Sequence, residues 1–127
     1  MFSRLFNFFY APLAALVFVA AVLPFCALII VTPTLTLRRT IGRFAVRFAL
    51  LCIGVPMRVR GMDNVPDGPC IAVANHASYL DGLILTAALP TRFTFVVQDG
   101  AATWPLIGLT IRRMGVTFVN RSNPREG

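Results

Sequence analysis

The run Asn75-His76-Ala77-Ser78-Tyr79-Leu80-Asp81 brings together an imidazole and a carboxylate, the pair from which a general base is built. His76 is the only histidine in the chain. A regular helix turns about 100° per residue, so residues five apart lie about 140° apart, on different faces. The two groups can meet only if His76 precedes a helix and Asp81 occupies its first turn. The carboxylate would then hold one ring nitrogen while the other faces a substrate. Open α/β sheets place ligands at such strand-to-helix junctions. Plainer roles compete. His76 could be a structural residue at a strand end. Ser78-x-x-Asp81 has the spacing of a capping box, so Asp81 could simply close its helix, or serve both ends with its two oxygens.

The flanking sequence supplies the elements that must hold this pair. Cys70 to Ala74 is a short continuous apolar run, as in a buried parallel strand, and Leu80 to Leu89 reads as a helix stopped by Pro90. Upstream, Met57 to Gly61 alternates like an edge strand, and Asp63 to Pro69 is a turn-rich loop. Downstream, Phe93 to Val97 predicts a strand, Trp104 to Met114 a short helix broken near Pro105 and Gly108, and Gly115 to Val119 a further strand. Alternating strands and helices imply an α/β fold, here a partial, mostly parallel sheet with flanking helices.

The N-terminal part differs in kind. No charged residue occurs from Leu5 to Leu37, a stretch longer than the ~20 residues that span a bilayer as helix. Pro12 and Pro24 interrupt it, leaving a kink or a re-entrant hairpin open. The stretch is too long for the core of a cleaved signal peptide, which points to a retained anchor. Residues 38–55 predict a second helix, with Arg39, Arg43 and Arg47 in one basic stripe and apolar residues over much of the rest. Such a helix suits a membrane interface, with guanidinium groups at lipid phosphates; the alternative is a core-packing helix with a solvated face. The expected organisation is therefore a membrane anchor over 1–37, a basic interfacial helix over 38–56, and an α/β part over 57–127.

Composition agrees. Hydrophobic residues make up 57% of the 127, and the net charge is +7. Residues 1–60 carry seven arginines and no acid, whereas residues 61–127 carry five arginines and five acids. The charge excess thus flanks the apolar segment, as anionic lipids favour. A nucleic-acid binder would carry it on the folded part, so no nucleic acid is expected as partner. Arginine without lysine suggests a GC-rich, bacterial genome, and the positive-inside rule puts residues from 38 onward in the cytoplasm, at the inner membrane. Cys26, Cys52 and Cys70 have no CxxC spacing and cannot complete a zinc site with one histidine; they read as reduced, buried thiols.

Asn75-His76 with Asp81 resembles the first motif of the glycerolipid acyltransferases, the lysophosphatidic acid (PlsC-type) and glycerol 3-phosphate acyltransferase family. Gly115-Val116-Thr117-Phe118-Val119-Asn120-Arg121 resembles the second motif, starting 39 positions after His76, and Trp104-Pro105-Leu106-Ile107-Gly108 is similar to the family's Pro-x-x-Gly approach. Two motifs in order, each joined to a predicted strand, are far more specific than a lone His-x4-Asp. The resemblance covers about residues 55–123. It implies transfer of an acyl group from acyl-CoA or acyl-carrier protein, as co-substrate, to the hydroxyl of a lysophospholipid such as 1-acylglycerol 3-phosphate. It implies His76 as general base and Asp81 as its orienting partner. Asn75, Gly115, Phe118 and Arg121 would form the substrate-binding set, with Arg121 on the acceptor's phosphate and Asn75 ordering the loop. Neither metal nor cofactor is required. A solvated surface role for Arg121 competes with this, and Arg112 and Arg113 read as solvated or lipid-facing, with phosphate binding as the alternative.

Two departures from the family pattern stand out. Many lysophosphatidic acid acyltransferases have a lysine shortly after the third strand; here the stretch is Val97-Gln98-Asp99-Gly100. Lyso-ornithine lipid and glycerol 3-phosphate are therefore alternative acceptors. The Glu-Gly-Thr-Arg third motif is absent before Gly127. The expectation is an N-terminal part of such an enzyme, inactive alone, with a non-catalytic lipid-binding remnant as the competing class.

Overall fold

The computed structural model describes residues 2–75, 78 and 80–120. His76 and Arg121, two of the expected site residues, lie outside these described residues. Helix α1 runs from Phe2 to Val31. At 1.5 Å per residue it is about 45 Å long. Both Pro12 and Pro24 lie inside it, so neither proline breaks the apolar stretch before Val31. Its Phe8–Val31 portion, with mean hydropathy 2.9, is long and apolar enough to cross a membrane. The reversal comes later, at 32–34, where the Thr32 hydroxyl donates to Leu28 O (2.7 Å) and Pro33 cannot continue the helix.

Helix α2, Leu35–Cys52, returns antiparallel along α1. The Tyr10 hydroxyl near the start of α1 donates to Ile53 O just past the end of α2 (2.6 Å). Further along, the Phe25 ring meets Phe44 and Phe48 edge-on, with centroids 5.7 and 5.9 Å away. Small residues make the close approach possible: Gly42, Ala45 and Ala49 of α2 are buried, as are Cys26 and Ile29 of α1. Phe44 and Phe48 stay substantially exposed, as do Leu13 and Leu16. An apolar outer face is what a helix facing lipid would carry. Helix α2 ends at Gly54, whose φ of +76° suits glycine. There Gly54 N–H donates to Leu51 O and Val55 N–H to Leu50 O, the paired bonds of a Schellman turn.

Beyond a 3-10 turn at Met62–Asn64, residues 65–75 are irregular; the next element is α3, Asp81–Ala88. Strand β1 (Val96–Gln98), a 3-10 helix (Asp99–Thr103), α4 (Ile107–Arg113) and β2 (Thr117–Val119) complete the α/β part. β1 and β2 are parallel, with Val97 opposite Phe118. The Thr117 N–H to Phe95 O bond (2.9 Å) extends the pairing by one residue. The α/β assignment and the N-terminal helices thus stand, with a smaller sheet than expected.

Two predicted strands are absent. Met57–Gly61 and Cys70–Ala74 have no ladder among the described residues. Ile71 and Val73 are 92% and 91% exposed. Their β-branched side chains favour an extended backbone, but a strand needs a paired neighbour and covered faces, and neither is present there. The cysteines differ as well: Cys26 alone is buried, while Cys52 and Cys70 are exposed thiols. A small core of Val46, Leu50 and Ala87, with Leu83 and Phe18 against it, packs α3 onto the hairpin.

Candidate functional site

Asp81 opens α3, as its spacing from His76 requires. It is half-buried, and its Oδ2 accepts the Ser78 N–H at 2.9 Å. The Ser78 hydroxyl oxygen accepts the Leu80 N–H (3.1 Å), and Asp81 N–H closes onto Ser78 O (3.1 Å). The acid reaches back three residues to Ser78 N–H, the carboxylate half of a capping box, but the helix begins at Asp81 with Leu80 at its N-cap, so Ser78 does not cap it. Asn75 is exposed on the segment leading to 76.

Gly115, expected to shape a substrate pocket, forms the turn that ends α4. Its φ is +74°. Gly115 N–H donates to Arg112 O (3.0 Å) and Val116 N–H to Ile111 O (3.3 Å), a second Schellman turn. A Cβ there would also sit 3.1 Å from both Arg39 Nη2 and Leu35 Cδ1.

Phe118 does line a hollow. An open cavity of about 620 Å³ lies between the 3-10 helix and the α4–β2 segment, walled by Asp99, Ala102 and Thr103 on one side and Arg112, Val116 and Phe118 on the other. Arg112 holds its guanidinium 5.6 Å from the Phe118 ring centroid, within cation–π range. Residues on both sides of the second motif's start thus meet in one place.

The Pro-x-x-Gly segment sets the shape of that hollow. Ile107 N–H donates to Pro105 O (2.6 Å) across Leu106, whose φ and ψ are 61° and −52°. This is a γ-turn of the rare, strained hand. It starts α4 so close to the 3-10 helix that a Cβ on Gly108 would lie 2.3 Å from Ala102 O. Glycine is required there because the neighbour is backbone.

The arginine stripe of α2 was expected at lipid phosphates. The described contacts send it inward. Arg43 donates to Ala87 O through Nε (3.2 Å) and to Ala88 O through Nη2 (3.3 Å), and Arg47 Nε donates to Ala87 O (2.8 Å). Arg39 donates to Met114 O (3.0 Å) and Thr91 O (3.2 Å), and Arg38 to Thr32 O (2.7 Å) and Arg113 O (3.1 Å). Burial, and then the neighbouring Arg47 charge, lower the pKa of Arg43 below its usual value. One sequence signal bears on these contacts: Pro90 stops α3, and a helix leaves its last carbonyls without N–H partners, so they need outside donors.

A family model described as acyltransferase matches residues 56–127, more than half of the chain. The chain belongs to the acyltransferase family. Among curated relatives, the chloroplastic 1-acyl-sn-glycerol-3-phosphate acyltransferase BAT2 of Brassica napus is 35% identical over 70 residues, covering 54% of this chain and 20% of that protein. A lyso-ornithine lipid O-acyltransferase of Pseudomonas aeruginosa is 35% identical over 75 residues, 59% of this chain and 28% of that protein. Another of the same name, from Rhodobacter capsulatus, is 38% identical over 80 residues, 63% and 27%. The chain spans less than a third of the length of each of these relatives. No solved structure matches it.

Proposed function

We propose that this acyltransferase-family chain serves O-acyl transfer from a thioester, acyl-CoA or acyl-carrier protein, to the hydroxyl of a lysolipid at a membrane surface. The observation that carries the reading is Asp81, a half-buried carboxylate fixed at the head of α3 within the family match, five residues after the only histidine. An alcohol is a weak nucleophile until a base takes its proton as it attacks. His76 would take that proton as the hydroxyl oxygen bonds to the thioester carbon. The imidazolium, steadied by Asp81, would return it to the sulfur as the C–S bond breaks.

Arg112 and Phe118 support a head-group site in the hollow, with Arg121 the expected phosphate partner at the end of the second motif. Helix α1 supports attachment to a bacterial inner membrane, with the α/β part on the cytoplasmic face. A specific observation favours a second acceptor: Asp99 lines the same hollow where a phosphate site would favour a cation, and two of the relatives are named for lyso-ornithine lipid. A head group carrying both charges suits such walls better than a phosphate alone.

The test is thioester consumption by the protein in membranes, with lysophosphatidic acid and lyso-ornithine lipid offered separately. His76→Ala should abolish transfer to either acceptor. Near-wild-type turnover in that variant would sink the assignment. Lipid binding without thioester consumption in the unaltered protein would favour a non-catalytic role.

A further inference from the structure

Four arginines on neighbouring turns of α2 bind carbonyl oxygens of the α/β part or the hairpin turn, and the choice of carbonyls follows a rule. A helix leaves its last carbonyls without N–H partners. In α4 the Schellman turn closes Ile111 O and Arg112 O, leaving Arg113 O and Met114 O. Those two accept Arg38 and Arg39. In α3, Leu89 N–H closes Leu85 O, and Pro90 offers nothing further. Thr86 O, Ala87 O and Ala88 O are left without backbone donors, and the last two accept Arg43 and Arg47. Cations at helix C-termini also meet the negative end of each dipole.

We propose that the arginine stripe of α2 is a positioning device that fixes the first-motif helix and the second-motif turn in one frame. Helix α3 carries Asp81 at its free end and is held at the other by Arg43 and Arg47. The turn at Gly115 is held by Arg39, and from it β2 leads toward Asn120 and Arg121. A second tie from Arg39 to Thr91 O links the segment that follows α3 to the same side chain. The head of α3 and the Gly115 turn therefore take their separation from one helix, α2. These arginines are positioning residues, and their catalytic consequence rests on the function proposed above.

The experiment compares Arg43→Gln/Arg47→Gln with Arg43→Lys/Arg47→Lys in the membrane-embedded protein. Hydrogen exchange of the α3 amides is read beside kcat and acceptor KM. The glutamine pair should speed α3 exchange at least tenfold and lower kcat at least tenfold, with KM within twofold and exchange of the α1 amides unchanged. The lysine pair, which restores charge but not the fork, should recover part of both. If the double variants do not accumulate, Arg47→Gln alone should raise α3 exchange about threefold, since it removes one of the two arginines on Ala87 O. Unchanged α3 exchange overturns the proposal, whatever happens to turnover. So does loss of binding to anionic vesicles with α3 exchange unchanged, which would assign the stripe to lipid. Faster α3 exchange in a protein that consumes no thioester even when unaltered would uphold the device and defeat the proposed function instead.

Discussion

Gly108→Ala and Gly42→Ala add the same methyl group to two helices, and we predict opposite outcomes. At Gly108 the new Cβ would lie 2.3 Å from Ala102 O and 2.8 Å from Ala102 C, both backbone atoms of the 3-10 helix. Restoring ordinary contact requires the two segments to part by about 1 Å. Overpacking of this kind costs about 1–3 kcal/mol, and the helix-propensity gain of alanine returns at most ~1. The expected net loss is about 1–2 kcal/mol. At Gly42 the clash, 2.6 Å, is with Met114 Cε, the far end of a flexible thioether. Met114 can swing aside, so alanine there should be neutral within about 0.5 kcal/mol or stabilise by up to ~1. Trp104, the only tryptophan, sits beside the γ-turn and reports its opening by fluorescence. Denaturant midpoints of the three proteins in detergent would rank Gly42→Ala at or above wild type and Gly108→Ala below it. A Gly108→Ala protein as stable as wild type, or the reverse ranking, would refute the close approach of α4 to the 3-10 helix.

Two further substitutions test the turns. Gly54 and Gly115 both hold a left-handed φ, but only Gly115 has neighbours, Arg39 Nη2 and Leu35 Cδ1 at 3.1 Å. Gly115→Ala should therefore destabilise by roughly 1 kcal/mol more than Gly54→Ala, measured as paired denaturant midpoints. At Leu106, whose γ-turn backbone carries about 1–3 kcal/mol of strain, glycine should be better tolerated than alanine despite its smaller side chain. A Leu106→Ala protein with the higher midpoint would contradict the strained turn.

What the sequence revealed depended on whether the signal was local. Helix α3 was legible to within a residue at each end because Pro90 stops it and the Ser78–Asp81 spacing marks its start. Gly54 likewise marked the end of α2. The apolar run from Cys70 was misread because its composition states a preference, while a strand exists only with a partner. β1 begins three residues later than Phe93 suggests because pairing with Thr117, not propensity, sets its start. The basic stripe of α2 was visible as a stripe, but its target was not. Lipid phosphates and helix carbonyls both attract guanidinium groups, and only the fold brings Ala87 and Met114 within reach. Gly115 was found through its motif, yet its turn geometry and its clearance from Arg39 emerge only in three dimensions. Arg112 was placed among solvated or phosphate-binding side chains; its position over Phe118 gives it a wall of the hollow.

The central claim, that Asp81 and His76 act as one unit, is tested most directly by a double-mutant cycle on acyl-transfer turnover. His76→Ala, Asp81→Asn and the double variant would be assayed with the same thioester and lysolipid. Residues that work as a unit are strongly non-additive. The account predicts that the double variant is no slower than His76→Ala alone, within about twofold. Losses that multiply, leaving the double variant slower by the full factor of Asp81→Asn, would show that Asp81 serves only its helix and would contradict the account.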